Sequence, residues 1–144
     1  MGLERFTEAQ KSCYETAREE IRNGRKRSHW MWYIFPQVRG LGFSETSRYY
    51  GIADRAEAEA YLAHPVLGQR LREMTDLLSE LETADAKAVF GHPDHLKLRS
   101  CMTLFYLVSG EERFQKVLKK FFGGIPDART VDLLADTEKR PRKR

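Results

Sequence analysis

One leucine-rich stripe restricts the fold more than any other feature of the sequence. Its members, which recur at spacings of four and three residues, are Leu67, Leu71, Met74, Leu78 and Leu81. That spacing places all of them on one face of an α-helix. The stripe therefore predicts a central helix whose apolar face packs into the core.

Capping and turn residues divide the rest of the chain into further helices. Pro65 suits the first turn of the stripe helix and ends the preceding helix near His64. Capping boxes occur in three places, at Thr7 with Gln10, Asp54 with Glu57, and Ser109 with Glu112. The predicted helices cover about residues 7–23, 28–35, 54–63, 65–81, 83–90, 91–108 and 109–122, with shorter helical turns at 44–50 and 130–134. The fold class is all-α, one compact domain of about six to eight helices joined by irregular loops.

The charge of the chain is concentrated at its end. The formal net charge is +4, but five of the 25 cations lie within residues 139–144. Without them 20 cations face 21 acids, so the body carries a charge of −1. We therefore predict a helical domain over residues 1–136 and a basic, disordered tail over 137–144. Nucleic-acid binding is expected at most through this tail.

Length and composition indicate the class of protein. A chain of 144 residues fits one domain and buries roughly 68–70% of its unfolded surface. Its two cysteines form no disulfide framework, and neither a signal peptide nor a membrane-spanning run is recognisable. We expect a cytoplasmic protein that does not interact with membranes.

Two dense strings of polar and aromatic residues are the candidates for a functional site. The first string, residues 25–42, runs from three cations and a histidine into six apolar or aromatic residues, Trp30 to Phe35. Ser28 can cap a short helix here, although a short buried strand is the alternative. The second string, residues 91–105, opens a mostly apolar helix. Whether the strings meet in space is not determined by the sequence.

Cations beside aromatic rings can hold a phosphate and stack a base or sugar. The candidate ligand-binding residues are Arg25, Lys26, Arg27, His29, Trp30, Trp32, Gln37, Lys97, Arg99 and Ser100. The opposing interpretation is that the aromatics are core and the cations form an ordinary solvated loop. We predict a phosphate-bearing small molecule as the partner, and no cofactor.

The candidate catalytic groups are Glu8, His29 and Asp94. His29 can act as an acid or base, but it can equally be a structural histidine. Asp94 can assist water as a carboxylate or cap the helix of the second string, and the capping role is the preferred one. No metal site is predicted, because His92, Asp94 and His95 have unsuitable spacing and no second cluster. Cys101 is expected to behave as a small buried hydrophobe.

Several strings of the chain together resemble one family. They are Arg25 to Gln37, Gly40 to Gly42 with Ser44, Tyr50 to Ile52, Tyr61 to Gly68, Phe90-Gly91 with Asp94, and Lys97 to Phe105. This pattern, from Leu3 to about Leu134, resembles the bacterial domain-of-unknown-function 1810 family. The resemblance implies a small, mainly helical cytoplasmic domain and supplies no established reaction.

A second resemblance rests on shorter strings. Glu8 to Lys11, a His-Pro-Val-Leu helix start at His64, and Phe90-Gly91 before a later helix are similar to the NADAR class of helical hydrolases. That resemblance implies action on N-glycosidic bonds of ADP-ribose-type compounds.

The residues and the resemblances together lead to two hypotheses about function. One is binding or hydrolysis of a nucleotide-like ligand, and the other is a non-enzymatic module that binds proteins through the aromatic run from Trp30 to Phe35.

Overall fold

The computed structural model describes residues 2–139, and this part of the chain contains ten α-helices. Their bounds are α1 Glu4–Lys11, α2 Tyr14–Arg22, α3 Met31–Ile34, α4 Glu45–Tyr50, α5 Arg55–Ala63, α6 Leu67–Glu80, α7 Ala86–Phe90, α8 Asp94–Ser109, α9 Glu112–Phe122 and α10 Ala128–Lys139. Extended pairing within residues 2–139 is limited to an isolated parallel bridge between Val38 and Ile52. The all-α prediction is confirmed, but ten helices replace the predicted six to eight.

The single helix predicted over residues 7–23 is wrong, because two helices occupy this region. The chain leaves helical geometry at Ser12 and Cys13, so residues 7–23 belong to two helices, and α1 begins before Thr7. The two helices bury their faces against different partners, α1 against α3 and α2 against α6. The break lies between these two sets of contacts, and Gln10 of α1 also reaches α6, where its Oε1 accepts a hydrogen bond from Arg70 at 3.2 Å.

The leucine stripe forms the central helix as predicted. Leu67, Leu71, Met74 and Leu78 of α6 are fully buried, and α6 packs against α5, α9 and α2. The Lys120 ammonium group of α9 donates to the backbone oxygens of Leu78 and Ser79, each at 3.0 Å, and to that of Leu81. The last carbonyls of a helix lack i+4 N–H partners, so the lysine helps to cap the C-terminal end of α6, where the Leu78 oxygen also accepts the Leu81 N–H group.

Some predicted caps are confirmed and others are wrong. Asp54 accepts a backbone N–H group at the start of α5 as predicted, and Ser44, for which no cap was predicted, does so at the start of α4. The cap predicted at Thr7 is wrong, because α1 has Leu3 at its N-cap and no side-chain cap. The N-cap positions of α3 and α9 carry no side-chain cap, so the roles predicted for Ser28 and Ser109 are not realised. Asp85 caps α7, so this helix begins later than the predicted residue 83.

Helix α8 runs through the core and links most of the fold. It packs against α9, α5, α7 and α10, and its residues from Leu98 to Phe105 are buried except for Arg99. Its polar side chains are satisfied locally, because the hydroxyls of Ser100 and Thr103 donate to backbone oxygens one turn earlier. This helix carries the second string, so the rigid core fixes the position of that string.

The C-terminal helix is longer than predicted. Helix α10 extends to Lys139, so residues 137–139, assigned above to the tail, are helical. The remaining tail residues, 140–144, lie outside the described residues, and their disorder stays a prediction. Within residues 2–139 no helix combines the length and apolar character needed to cross a bilayer. The cytoplasmic location stays a prediction.

Candidate functional site

The two strings meet at a carboxylate. Lys26 Nζ of the first string lies 2.9 Å from Asp94 Oδ2, and Lys97 Nζ of α8 lies 3.4 Å from Asp94 Oδ1. The Lys26 side chain is 7% exposed and that of Lys97 is 18% exposed. We call Lys26, Asp94, Lys97 and the neighbouring Trp32 the paired-lysine site. It joins residues almost seventy positions apart at the start of α8.

Two tryptophans flank this site in different ways. The Trp30 ring is 1% exposed and belongs to the core, with Lys26 Nζ 5.3 Å from its centroid. The Trp32 ring is only partly buried, and Lys97 Nζ lies 4.9 Å from its centroid. Each ammonium group is therefore held over an aromatic face, which attracts cations. Because Trp30 is enclosed, only Trp32 of the pair can stack on a ligand.

Glu20 of α2 fixes the loop that carries Lys26. Its carboxylate accepts hydrogen bonds from the backbone N–H groups of Arg27 and Ser28, at 2.8 and 3.0 Å, the Ser28 hydroxyl at 2.6 Å, and Trp30 Nε1 at 2.9 Å. Burial alone would raise the pKa of this carboxyl, but the four hydrogen bonds outweigh it and lower the pKa from 4.5 to about 2. Sequence reasoning missed Glu20, because no local pattern distinguishes it from the other glutamates of α2.

The backbone of Lys26 is tied to α7, the helix that precedes the second string. Its N–H group donates to the Val89 oxygen of α7 at 2.7 Å. Because Glu20 holds the following residues and α7 holds Lys26 itself, the ammonium group has a defined position next to Asp94. The site is therefore built before any ligand arrives.

The other two cations of the loop are in a different environment. Arg25 and Arg27 are exposed and line a groove of about 500 Å³ with Thr16, Glu19, Glu20 and Asn23 of the α2 region. Two carboxylates in this groove offset the two guanidinium groups. The structure therefore separates Arg25 and Arg27 from the paired lysines, with which the sequence analysis had grouped them.

Two predicted ligand-binding residues of α8 have structural partners. Arg99 Nε and Nη2 donate to the backbone oxygens of Ile125 and Pro126, at 2.9 and 3.0 Å. The Ser100 hydroxyl donates to the Leu96 oxygen at 3.2 Å. Arg99 thus secures the loop between α9 and α10, and Ser100 satisfies itself within its helix. A ligand-binding role for either stays a prediction.

Gln37 lies in a small cavity beside Trp32. Its main chain continues the bridge at Val38, since its oxygen accepts from Ile52 N at 2.8 Å. Its side chain is buried, and among residues 2–139 Nε2 has no hydrogen-bond partner. The cavity measures about 10 Å³ and is lined by Trp32, Gln37, Val38, Gly40, Leu41, Gly42, Ser47, Tyr50 and Gly51. This volume accommodates about one water molecule.

The catalytic candidates do not converge. Glu8 is exposed on α1 and pairs with Lys11 at 2.9 Å. His29 is exposed, and its backbone oxygen, rather than its ring, accepts the Tyr33 hydroxyl at 3.0 Å. Asp94 alone of the three lies in the paired-lysine site. Its predicted capping role is wrong, because Pro93 occupies the N-cap of α8 and no side chain caps that end.

The remaining polar candidates of the second string and the core serve other purposes. The rings of His92 and His95 lie 5.1 Å apart, and Asp94 beside them contacts lysines. No group of three or more potential metal ligands occurs in the described part of the chain. Cys101 is fully buried, and burial raises the pKa of its thiol. The prediction that it behaves as a small hydrophobe is confirmed.

A larger groove of about 600 Å³ runs along α6, away from both strings, and is lined mainly by charged side chains. Arg113 pairs there with Asp76 at 3.0 Å, and Arg72 pairs with Glu111 at 2.8 Å. These charges compensate one another, and the groove is open to solvent. Its lining includes His64 and Pro65, the helix start on which the similarity to NADAR hydrolases partly rests, but none of the candidate ligand-binding or catalytic residues.

Comparison with known proteins agrees with the fold and the first resemblance. The crystal structure of the conserved hypothetical protein Rv1873 from Mycobacterium tuberculosis is 48% identical to this chain, with a TM-score of 0.90. The match covers 92% of this chain and 96% of that one. A search of curated proteins gives no match. The similarity to NADAR hydrolases is not shown by these comparisons and stays a prediction. The family described as Protein of unknown function (DUF1810) matches residues 1–134, and the chain belongs to this family.

Proposed function

We propose that the paired-lysine site binds a phosphate-bearing small molecule of the nucleotide or ADP-ribose type. The observation that carries the proposal is the convergence of Lys26 and Lys97 on one carboxylate beside a partly exposed tryptophan. Two ammonium groups and one carboxylate leave a net charge of +1. Each ammonium group has three donors, so both lysines retain donors for a phosphate oxygen.

The position of the site on α8 adds to its attraction for anions. Asp94 and Lys97 lie in the first turns of a helix of 16 residues. The N-terminal end of such a helix carries a partial positive charge from the helix dipole, and in α8 the N–H groups of His95 and Leu96 already donate to the Gly91 and Pro93 oxygens. A phosphate at the paired lysines would therefore meet three positive elements that belong to rigid parts of the fold.

Trp32 supplies the second half of the ligand site. Its ring lies against Lys97 and is partly accessible. Stacking of a base on an aromatic ring contributes about 1–3 kcal/mol, which would complement the phosphate contacts. A ligand with both a phosphate and a planar ring or sugar therefore fits this site better than inorganic phosphate does.

Hydrolysis is the finer form of the proposal, and it has less support than binding. Bond cleavage requires a general acid or base within reach of the reacting group. Among the three predicted candidates only Asp94 lies at the site, where it contacts two lysines. Cleavage of an ADP-ribose-type N-glycosidic bond would depend on this carboxylate, and its replacement by Asn would then abolish turnover.

The interaction-module alternative is weakened by the burial of the aromatic run. Trp30, Met31, Ile34 and Phe35 are each at most 2% exposed and belong to the core. A protein-binding patch needs contiguous exposed apolar surface, and the run leaves only Trp32 and Tyr33 partly accessible. Nucleic-acid binding through the basic tail stays a separate prediction, because residues 140–144 lie outside the described part.

A thermal-shift screen tests the proposal. The wild-type protein is heated with NAD, ADP-ribose, mononucleotides, sugar phosphates and pyrophosphate. A ligand at about 100 times its dissociation constant stabilises by about 2.7 kcal/mol, which raises the melting temperature by several degrees. Lys97→Met should lose this shift while keeping the packing over Trp32. Lys119→Met, at an exposed lysine of α9, should keep it.

Arg27→Ala distinguishes the two groups of cations. The sequence analysis grouped Arg27 with Lys97, but the structure places its side chain in the separate α2 groove. We therefore expect Arg27→Ala to retain most of the ligand shift. Equal losses in Lys97→Met and Lys119→Met, or no shift with any compound, would contradict the proposed function.

A further inference from the structure

Gln37, which lines the cavity beside Trp32, carries a buried amide nitrogen without a hydrogen-bond partner. Three buried side-chain nitrogens in the described part of the chain have no hydrogen-bond partner, namely Arg5 Nε, Arg18 Nε and Gln37 Nε2. The two arginines also pair with carboxylates, Arg5 with Glu57 and Arg18 with Glu73. Nε2 is the sole donor atom of the Gln37 side chain. Within residues 2–139, Gln37 is therefore the residue of these three whose side chain makes no hydrogen bond as a donor.

Gln37 borders a small cavity whose lining residues limit the size of the group that fits into it. The residue is 8% exposed, and the cavity around it has room for about one water-sized group. A side chain at Gly42 would fill part of this space, because its Cβ would lie 3.0 Å from Ser47 Oγ and 4.0 Å from the Trp32 ring. Glycine at this position therefore keeps the cavity open next to the aromatic ring.

Trp32 connects this cavity to the paired-lysine site. Its ring lines the cavity together with Gln37 and also lies under the Lys97 ammonium group. A ligand whose phosphate binds the lysines and whose ring or sugar lies on Trp32 would therefore contact a side chain that also lines the cavity of Gln37. Trp32 is the residue that the two places share.

We infer that Gln37 determines specificity within the proposed ligand site, by donating a hydrogen bond to an acceptor atom on the non-phosphate part of the ligand. The group it would take is a carbonyl or hydroxyl oxygen, or a ring nitrogen, about the size of a water molecule. The inference rests on the proposed function, since it requires that the phosphate binds at Lys26 and Lys97. It explains why a donor is kept buried without a partner in the protein itself.

The test compares two probes on two variants. ADP-ribose carries phosphate, sugar and base, whereas pyrophosphate carries phosphate alone. Gln37→Met is nearly isosteric and lacks the donor, and Gly42→Ala narrows the cavity. Affinities are measured by isothermal titration, with Gln69→Met, at an exposed glutamine of α6, as the matched control.

We expect Gln37→Met to weaken ADP-ribose binding about 3- to 10-fold, the effect of one neutral hydrogen bond, and to leave pyrophosphate binding unchanged. Gly42→Ala should show the same selectivity, and Gln69→Met should bind both probes as the wild type does. The melting temperature of unliganded Gln37→Met should be equal to or above that of the wild type, because the variant removes an unpaired buried donor.

Other outcomes separate the two proposals. If Lys97→Met loses both probes while Gln37→Met binds ADP-ribose normally, the proposed function stands and the role of Gln37 is overturned. A lower melting temperature with unchanged affinity would make Gln37 a structural residue and overturn the inference as well. If neither probe binds to the wild type, the proposed function fails and the inference falls with it.

Discussion

Replacing Glu20 with Gln should destabilise the protein at neutral pH, and the loss should shrink in acid. The Glu20 carboxylate accepts four hydrogen bonds from residues 27–30, and three of them end on Oε1. A glutamine can keep those three through its own carbonyl oxygen. The substitution removes the negative charge and also the acceptor of the Ser28 hydroxyl, since Oε2 becomes an NH2 group, and hydrogen bonds to a charged acceptor are the stronger ones.

The magnitude follows from the pKa of this group. A fall from 4.5 to about 2 corresponds to about 3 kcal/mol, at ~1.36 kcal/mol for each pKa unit. Because Glu20 is partly accessible to water and glutamine preserves most of the geometry, we expect a loss of about 1–2 kcal/mol. For a chain of this length that lowers the melting temperature by about 3–8 °C.

The pH dependence gives the decisive readout. The pKa of Glu20 is lower in the folded protein than in the unfolded chain, so its ionised form stabilises the fold above about pH 4.5. This stabilisation is lost as the pH falls from 4.5 towards 2. Urea unfolding of wild type and Glu20→Gln, followed by tryptophan fluorescence at pH 7, 4.5 and 3, should therefore show converging stabilities.

The neighbouring glutamate is the control for this experiment. The Glu19 side chain is 64% exposed and pairs weakly with Arg22 at 3.8 Å, so Glu19→Gln should change stability by less than about 0.5 kcal/mol at every pH. A difference between wild type and Glu20→Gln that stays constant from pH 7 to 3, or that is as small as for Glu19→Gln, would refute the reasoning.

Three further substitutions test the packing of the fold by urea unfolding at pH 7. Glu57→Gln leaves the 2% exposed Arg5 side chain without its carboxylate and should cost about 3–5 kcal/mol; a loss below 1 kcal/mol would argue against a buried ion pair. Gly68→Ala should cost about 1–3 kcal/mol, because its Cβ would clash with the Leu62 backbone oxygen; an unchanged midpoint would show that α5 and α6 can move apart without cost. Lys120→Met removes the donor to the last carbonyls of α6 and should cost about 1–2 kcal/mol; wild-type stability would mean that water replaces the lysine.

Apolar periodicity predicts a helix correctly when one face of that helix contacts the core along its whole length. Helix α6 meets the core along one face, so its leucine stripe reads directly from the sequence. The break between α1 and α2 cannot be read from the sequence in this way. Gln10 donates to the Tyr33 oxygen at 2.7 Å, while Tyr14 donates to Glu73 of α6. The break lies between these two residues, and α6 contacts both of them, because Gln10 Oε1 also accepts a hydrogen bond from Arg70. A pattern of apolar spacing contains no information about where such partners lie.

The candidate site likewise combines contacts that local spacing predicts with contacts between distant segments that it does not. The pairing of Asp94 with Lys97 follows from a spacing of three residues on a helix, and a local reading can find it. The pairing of Asp94 with Lys26 joins distant segments and has no local signal. Trp30 and Trp32 are of the same type and two residues apart, yet one lies in the core and the other lies partly exposed over Lys97. Their separate roles follow from how α3 packs, which the sequence alone leaves open.

The distribution of unpaired polar groups indicates where a ligand would gain most. In the large groove along α6 most of the charged residues are already in ion pairs, as Arg113 is with Asp76 at 3.0 Å and Arg72 is with Glu111 at 2.8 Å. A ligand there would have to replace existing ion pairs and would gain little in exchange. An unpaired buried donor costs about 1–3 kcal/mol, and a ligand that satisfies Gln37 recovers that cost on binding. The smaller cavity beside Trp32 is therefore the better place for selective recognition, although the groove along α6 has sixty times its volume.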